Sequence, residues 1–303
     1  MISLRHEVIE TNNFKPKYAF FQTGKTSFKN LRGNSSFDAR PDSIIGTIEF
    51  EKSNESNTYR LDKTKKRYSD EILPIRVKRC FCTNKIGCTT IYYAIVPREY
   101  KPALCIANDT NNTVEKAVDI AKRNNATICI NAGIFDMLSS ETRGYTIVNG
   151  EVRNDSSFSN KSTTDYIYMS EDGSLQLFPV DESLEELIAL KPQWAVLGFH
   201  PIVNDGAYVA GGRDRNDYSP RTFIGQDFEG NYILGACSGR MINEVGLSLN
   251  NIYRFVKAIG FEPRILYNLD GGGSSVFIYK GVRLNALTRG EDRACANFII
   301  VKE

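Results

Sequence analysis

The spacing of apolar positions changes several times along the chain, and each change predicts an element. Residues 166–180 and 222–237 each contain two short apolar runs around a polar turn, "EDG" and "FEGN". This pattern predicts two β-hairpins. The compact apolar runs "ATICI" (126–130) and "RILYNL" (264–269) predict two further short, buried strands.

A helical pattern precedes each of these two buried strands. In the first, Thr113 is the predicted N-cap and residues 114–121 carry apolar side chains at helical spacing. In the second, Ser248 is the predicted N-cap, residues 252–259 form the apolar face and Gly260 ends the helix. Helices and hairpins together predict an α+β fold, with a mixed β-sheet core and a few flanking helices, rather than a regular βαβ succession.

The first 80 residues differ in charge from the rest of the chain. They contain 16 lysines and arginines against 10 aspartates and glutamates, a net charge of +6, whereas the whole chain carries only +2. Residues 46–63 predict two short strands around a polar turn, and "DKTKKRY" (62–68) predicts a solvated loop, with a binding patch as the alternative. We therefore predict a β-rich accessory or adaptor segment at 1–80 and a main domain at 81–303.

Composition narrows the classes of function. With 41% hydrophobic and 24% charged residues, the chain has an ordinary globular composition. A net charge of +2 is too small to indicate nucleic-acid binding, and no apolar run approaches the ~18 residues that a membrane span needs. The first residues lack the pattern of a signal peptide, so we expect synthesis in the cytoplasm.

The seven cysteines give little indication of a metal site. Cys80, Cys82 and Cys88 have the spacing C-x-C-x5-C, which is a weak zinc pattern. The other four lie inside apolar runs, as buried free thiols do: Cys105, Cys129, Cys237 and Cys295. We predict no cofactor; a divalent cation is an alternative that no motif supports.

The stretch "NLDGGGSS" (268–275) places a carboxylate, Asp270, directly before three glycines. Glycines let a ligand approach the backbone closely, and successive N–H groups can form an anion-binding nest. The alternative is a tight turn between two strands, capped by Asp270 and the serines. Asn131 ends the first buried strand as Asp270 ends the second, and ligands bind at such strand ends in helix-flanked sheets.

Three arginines accompany glycine-containing turns: Arg221 in "SPRTFIG", Arg240 in "CSGR" and Arg293 in "RGEDRACANFIIV". A guanidinium binds phosphate oxygens at two points, which suits an anionic ligand. For each arginine alone, an ion pair is the commoner explanation. Three such arginines, each beside a buried strand, favour a phosphate site.

The motifs "INAGIFD", "RTFIG", "SGR", "NLDGGGSS" and "RACANFIIV" together resemble the phosphodiester glycosidase domain, in the order that this family shows, over roughly residues 90–302. The resemblance implies an α+β fold and hydrolysis of a sugar-1-phosphodiester, such as an N-acetylglucosamine-1-phosphodiester, with release of the sugar. In style the sequence is most similar to phage and prophage members. That similarity implies a cell-surface or cell-wall glycan as substrate, and phage tail proteins as partners of residues 1–80.

Three positions depart from the family's pattern. Ala132 and Ile134 replace a glycine and a phenylalanine, and Ser238 replaces the aspartate of an Asp-Gly-Arg motif. The missing carboxylate leaves an alternative open, in which the domain is a non-catalytic glycan-binding or structural module of a phage tail.

We assign Asp270 to water activation or stabilisation of the sugar cation, and Arg240 and Arg293 to the phosphate. The remaining expected substrate contacts are Asn131, Gly133, Arg221, Gly271, Gly272, Gly273, Ser274 and Asn297. Reserve acid or base groups are Asp136, Glu244, Asp292 and His200. We expect five of these residues to converge on one pocket: Asn131, Arg240, Asp270, Arg293 and Asn297.

Overall fold

The computed structural model describes residues 89–110, 112–159, 163–211, 217–242 and 244–302 in full, together with the backbone of strands between residues 4 and 88. The strands are β1 (Leu4–Val8), β2 (Lys17–Tyr18), β3 (Glu49–Lys52), β4 (Tyr59–Leu61), β5 (Arg76–Thr83), β6 (Cys88–Val96), β7 (Ala103–Ile106), β8 (Ile128–Asn131), β9 (Thr146–Val148), β10 (Glu151–Asn154), β11 (Asp165–Met169), β12 (Leu175–Pro179), β13 (Trp194–Leu197), β14 (His200–Asn204), β15 (Ala207–Tyr208), β16 (Thr222–Asp227), β17 (Tyr232–Cys237), β18 (Pro263–Asn268), β19 (Phe277–Tyr279), β20 (Val282–Arg283) and β21 (Asn297–Val301). The α-helices are α1 (Ala117–Arg123), α2 (Leu184–Ala189) and α3 (Leu249–Ala258).

The described strands form three sheets. The main sheet has the order β15-β14-β18-β16-β17-β6-β5-β1-β2, with β3 and β4 attached through β5. The hairpin sheet has the order β10-β9-β13-β11-β12, and the C-terminal sheet has the order β20-β19-β8-β21-β7. Strand content therefore dominates, and the predicted α+β class holds only in the broad sense of sheets with a few helices.

All strand pairs within the described residues are antiparallel, so the expectation of mixed strand direction was wrong. The physical reason lies in the two helical connections. Helix α3 links β17 to β18, but β16 lies between them, and α1 links β7 to β8 with β21 between them. Each connection joins two strands of the same direction, and an antiparallel third strand separates the pair.

The two predicted hairpins are confirmed as β11–β12 and β16–β17, each with an uninterrupted register. Helix α3 begins as predicted: the Ser248 hydroxyl accepts a hydrogen bond from the Asn251 N–H, and the Asn251 amide accepts one from the Ser248 N–H. Helix α1 begins three residues later than predicted. Lys116 is its N-cap, because the Thr113 hydroxyl donates instead to the carbonyl of Ala107.

A central apolar core lies between the three sheets and receives side chains from all of them, such as Ile265, Trp194 and Ile299. The outer face of each sheet carries its own cluster. Helix α3 covers the main sheet, α1 covers the C-terminal sheet, and Leu187 of α2 packs against the hairpin sheet. The relative position of the sheets is therefore set by one shared core, which suits a site built from several strand ends.

Two N-terminal predictions can be compared with described strands. Strands β3 and β4 pair with each other, which confirms the two strands expected within residues 46–63. Strand β5 pairs with β6 from Arg76 to Thr83, so the described N-terminal strands continue the main sheet. Residues 62–68 and the side chains of Cys80, Cys82 and Cys88 lie outside what is described, and the division at residue 80 stays a prediction. Among the described helices, none has the length and apolar character to cross a membrane.

The cap of α3 predicts a measurable contribution to stability. Ser248→Ala removes the acceptor for the Asn251 N–H at a buried helix end, and we expect a loss of about 1 kcal/mol in the free energy of unfolding. Urea unfolding followed by circular dichroism measures it. Ser156→Ala, at an exposed serine outside any cap, is the control and should change stability by less than about 0.5 kcal/mol. Equal losses in the two variants would contradict this role of Ser248.

Candidate active site

The glycine-rich stretch is a connection between two sheets. Strand β18, which precedes it, belongs to the main sheet, and β19, which follows it, belongs to the C-terminal sheet. A simple turn between paired strands is therefore not what these residues form. The Leu269 N–H donates to the carbonyl of Thr222 at 2.9 Å, and the Asp270 N–H donates to that of Ala132 at 2.8 Å. The chain thus passes from the main sheet to the C-terminal sheet at Asp270, and we call residues 269–276 the crossing.

Asn131, at the end of β8, ties this crossing together. Its Nδ2 donates to the carbonyl of Asp270 at 2.7 Å, and its Oδ1 accepts from the Thr222 hydroxyl at 2.7 Å and from the Val276 N–H at 3.0 Å. The side chain is 1% exposed. The amide of Asn131, expected as a substrate contact, is thus occupied within the protein and holds Asp270 in place.

Asp270 is half-buried at the start of the crossing. Burial raises the pKa of its carboxyl from the usual 3.8 to about 6, against opposing hydrogen bonds from the Ser274 hydroxyl and the Gly271 N–H and the positive charge of Arg293. The Gly271 N–H lies 2.9 Å from Oδ1. A carboxyl with a pKa near neutrality can exchange a proton at physiological pH, which is the property that a general base or acid needs.

The glycines meet specific steric demands. A β-carbon on Gly271 would lie 2.7 Å from the carbonyl oxygen of Pro220, and Gly272 has a φ of +63°. The predicted anion-binding nest is reduced, because the Gly271 N–H binds Asp270 and the Gly272 N–H donates to Pro220 at 2.8 Å. The triplet therefore serves mainly to let neighbouring groups approach the backbone closely.

Two of the three predicted arginines are those neighbouring groups. A β-carbon on Gly272 would lie 2.9 Å from Nη1 of Arg240, and a β-carbon on Gly273 would lie 2.6 Å from Cζ of Arg293. Arg240 is exposed and donates from Nη2 to the Ser219 hydroxyl at 3.3 Å. Both guanidinium groups thus lie against the loop that begins at Asp270, as expected for phosphate-binding groups.

Arg221 is engaged differently. Its side chain is 12% exposed; Nε donates to the carbonyl of Leu247, and Nη2 donates to the carbonyl and to the carboxylate of Asp217. Two of its three nitrogens are therefore occupied by contacts within the protein. The expected phosphate contact is left with only part of the guanidinium, and the side chain mainly fixes the segment before β16.

Asn297 and Gly133 are hydrogen-bonded to each other. The Asn297 Oδ1 accepts from the Gly133 N–H at 2.5 Å, and its Nδ2 is buried with no hydrogen-bond partner among the described residues. A β-carbon on Gly133 would lie 2.2 Å from Val196 Cγ2. The Gly133 N–H is thus used internally, whereas Asn297 retains a donor that a bound ligand could satisfy.

The reserve groups have other surroundings. Asp136 is ion-paired with Arg143, and Asp292 with Arg283 at 2.5 Å, so these two carboxylates are neutralised within the protein. Glu244 accepts from the Thr90 hydroxyl through Oε1, and its Oε2 is buried without a partner in the described part of the chain. His200, on β14, pairs with Asn268 on β18 and lines a separate cleft of about 390 Å³.

The departures from the expected motifs are accommodated locally. Ala132 is fully buried in the central core, and Ile134 packs on the outer face of the hairpin sheet. Ser238 is 1% exposed, and its hydroxyl accepts from the Ala286 N–H at 3.3 Å. Position 238 therefore serves as a hydrogen-bond acceptor for the segment before β21.

Sequence reasoning missed three contributors to the site. Thr222 binds Asn131, the Thr288 hydroxyl donates to the carbonyl of Gly272 at 3.2 Å, and Cys295 contacts Ser274. Thr222 and Cys295 carried a signal, since each lies inside a quoted motif, "RTFIG" and "RACANFIIV". Among the described residues, no group of three or more histidine, cysteine, aspartate or glutamate side chains could hold a metal ion.

Comparison with known proteins agrees with this geometry. The sequence profile of the phosphodiester glycosidase family matches residues 124–302. The chain therefore belongs to the phosphodiester glycosidase family, a family of hydrolases. A search of curated proteins finds no match.

Solved structures with the same fold include three at low sequence identity. The catalytic domain of zebrafish N-acetylglucosamine-1-phosphodiester α-N-acetylglucosaminidase, auto-inhibited by its pro-peptide, has a TM-score of 0.63 at 17% identity and covers 88% of this chain and 91% of its own. A hypothetical protein from Synechocystis gives 0.53 at 16% identity, covering 75% and 62%. A putative exported protein from Burkholderia pseudomallei K96243 gives 0.50 at 11% identity, covering 72% and 74%.

The hub role of Asn131 predicts a large loss of stability on truncation. Asn131→Ala leaves the buried Thr222 hydroxyl, the Val276 N–H and the Asp270 carbonyl without their partner, and we expect a loss of about 3 kcal/mol or more. Thr222→Val removes only one of the three bonds and should cost about 1 kcal/mol. Denaturant unfolding compares the two; similar costs would show that Asn131 is not the hub.

The raised pKa of Asp270 predicts a stability that falls as pH rises. Because the folded-state pKa is about 6 and the usual value is 3.8, ionisation costs more in the folded protein than in the unfolded chain. The stabilising contribution is present below about pH 4 and is lost as pH rises through 6. Asp270→Asn should therefore exceed wild type in stability by about 1–3 kcal/mol at pH 7.5, and the difference should vanish near pH 4. Denaturant unfolding at several pH values tests this; a difference independent of pH would contradict it.

Proposed function

We propose that this chain hydrolyses a sugar-1-phosphodiester at the bond between the anomeric carbon and its oxygen, releasing the free sugar and a phosphate monoester. The observation that carries the proposal is a half-buried carboxyl with a pKa of about 6, beside a glycine loop over which two guanidinium groups lie. Membership of the phosphodiester glycosidase family supports the class of reaction.

The proposed roles follow from the charges that develop. Asp270 takes a proton from the attacking water, or faces the positive charge that grows at the anomeric carbon. The leaving group is a phosphate monoester, and Arg240 and Arg293 stabilise its negative charge as the bond breaks. This reduces the need for a second carboxylate as general acid, which is consistent with a serine at position 238.

The remaining residues are assigned by what the structure leaves available to them. The buried Nδ2 of Asn297 is a donor for a sugar hydroxyl or a phosphate oxygen. Arg221 has only part of its guanidinium left for the phosphate. Asn131, Gly133 and the glycine triplet form the frame against which the substrate is held.

For the natural substrate, we propose a cell-surface or cell-wall glycan that carries sugar-1-phosphodiesters, with residues 1–80 connecting the protein to other phage tail proteins. Support comes from the style of the sequence and from the separate charge of residues 1–80. A screen of sugar-1-phosphodiesters, from N-acetylglucosamine-1-phosphodiesters to teichoic-acid-like polymers, with sugar release as readout, tests the activity and the substrate class together.

Two substitutions separate chemistry from binding. Asp270→Asn should lower kcat on the order of 10²-fold or more, because it removes the group that accepts the proton. In wild type, kcat/KM should fall as pH drops below about 6, where Asp270 becomes protonated. Arg293→Lys should mainly raise KM, since lysine keeps the charge and loses the two-point contact.

Arg153→Lys, at an exposed arginine paired with Glu151, is the matched control and should leave both constants unchanged. A wild-type protein that binds these glycans and never releases sugar would overturn the enzyme assignment and support the glycan-binding alternative. Asp270→Asn would then tighten binding of an anionic ligand by removing a negative charge.

A further inference from the structure

The segment that delivers Arg293 also delivers a thiol to the back of the glycine loop. Cys295 is 2% exposed, and its Sγ lies 3.9 Å from the carbonyl oxygen of Ser274 and 3.8 Å from that of Arg293. The sulfur atom is thus within hydrogen-bonding range of two backbone segments, the glycine loop at Ser274 and the segment before β21 at Arg293. The Cys295 N–H and carbonyl are themselves fixed by the backbone of Glu115.

Ser274 connects this thiol to the carboxyl. The Ser274 side chain is 2% exposed and hydrogen-bonds to Asp270 and to the sulfur of Cys295. Burial raises the pKa of Cys295 to about 12, so the thiol keeps its proton and acts as a donor. The single hydroxyl proton of Ser274 is then available to the Asp270 carboxylate. The Ser274 hydroxyl, expected as a substrate contact, is thus engaged within the protein.

We propose that Ser274 and Cys295 are positioning residues that hold the Asp270 carboxylate and the Arg293 backbone in one fixed arrangement. The inference rests on the role proposed above for Asp270. Neither residue touches the reacting atoms: Ser274 acts on the carboxylate, and Cys295 acts through Ser274. The charged and titratable groups around Asp270 are Arg293 and Cys295 from the segment before β21, with Arg240 over the adjacent Gly272.

The first measurement needs no turnover. Carboxyl ¹³C NMR of aspartate-labelled protein gives the pKa of Asp270, whose signal is assigned by its disappearance in Asp270→Asn. Ser274→Ala removes a hydrogen bond that favours the ionised form, so the pKa should rise from about 6 by roughly one unit. Ser274→Cys, with a similar size and a weaker donor, should raise it by less. The titration of Asp172, with a pKa of about 2, reports whether each variant keeps its fold.

Cys295 is tested by loss and rescue. Cys295→Ala removes the donor to the Ser274 carbonyl and should raise the pKa of Asp270, while Cys295→Ser restores a donor and should return it toward the wild-type value. Cys129→Ala is the matched control, because Cys129 is a fully buried thiol in the same apolar cluster, and Asp270 raises the pKa of Cys295 but is not among the groups that shift the pKa of Cys129. It should leave the pKa of Asp270 unchanged.

The second measurement is the pH profile of sugar release. Its acidic limb should move upward with the NMR pKa in Ser274→Ala and Cys295→Ala, with kcat lowered and KM little changed. If the pKa of Asp270 moves as described and no variant or wild type releases sugar, the proposed function fails and the positioning role stands. If folded Ser274→Ala and Cys295→Ala leave the pKa unmoved, or Cys129→Ala moves it equally, the positioning role is overturned.

Discussion

The side chain of Asn131 is the constraint on which the site depends. A single amide, fully buried at the end of β8, satisfies a carbonyl of the glycine loop, a hydroxyl at the start of β16 and an N–H at the start of β19. These three partners belong to segments of different sheets, which pack on one core but share no strand pairing at this point. The amide therefore fixes where the main and C-terminal sheets meet, and the geometry of the candidate site depends on that junction.

The electrostatics of the site follow from the same junction. The backbone N–H and carbonyl of Asp270 are both bound at this junction, and burial raises the pKa of its carboxyl. The glycines then admit two guanidinium groups close to the backbone of the loop. The positive charge of Arg293 lowers the pKa of Asp270, but burial is the larger effect, so the pKa stays raised.

The local elements were readable from the sequence where one physical signal dominated. The two hairpins follow from apolar runs around polar turns, and the start of α3 follows from Ser248. The N-cap predicted at Thr113 was wrong because the Thr113 hydroxyl donates to the carbonyl of Ala107. No pattern in the neighbouring sequence indicates that contact. The sheet order was out of reach for the same reason: nothing in the sequence of α1 or α3 shows that a third strand enters between the strands they join. The recurring polar residues at strand ends and turns pointed to Asp270, Arg240 and Arg293, which the structure places around one glycine loop. The sequence could not show that Arg221 is used internally by Asp217 and Leu247, because those contacts depend on where the loops lie.

The antiparallel arrangement also divides the molecule into two ends with different tolerance to change. The tips of the β11–β12 and β16–β17 hairpins lie at the end away from Asp270, where they contact each other: the Tyr232 hydroxyl and the Gln226 amide both donate to the carbonyl of Gly173. Evolution can lengthen exposed hairpin tips or fuse a module there without moving a strand end that carries chemistry. The connections at the opposite end have no such freedom, since each is bound by its neighbours. New specificity within this fold is therefore expected to arise by exchange of side chains at the site end and by growth of loops at the other.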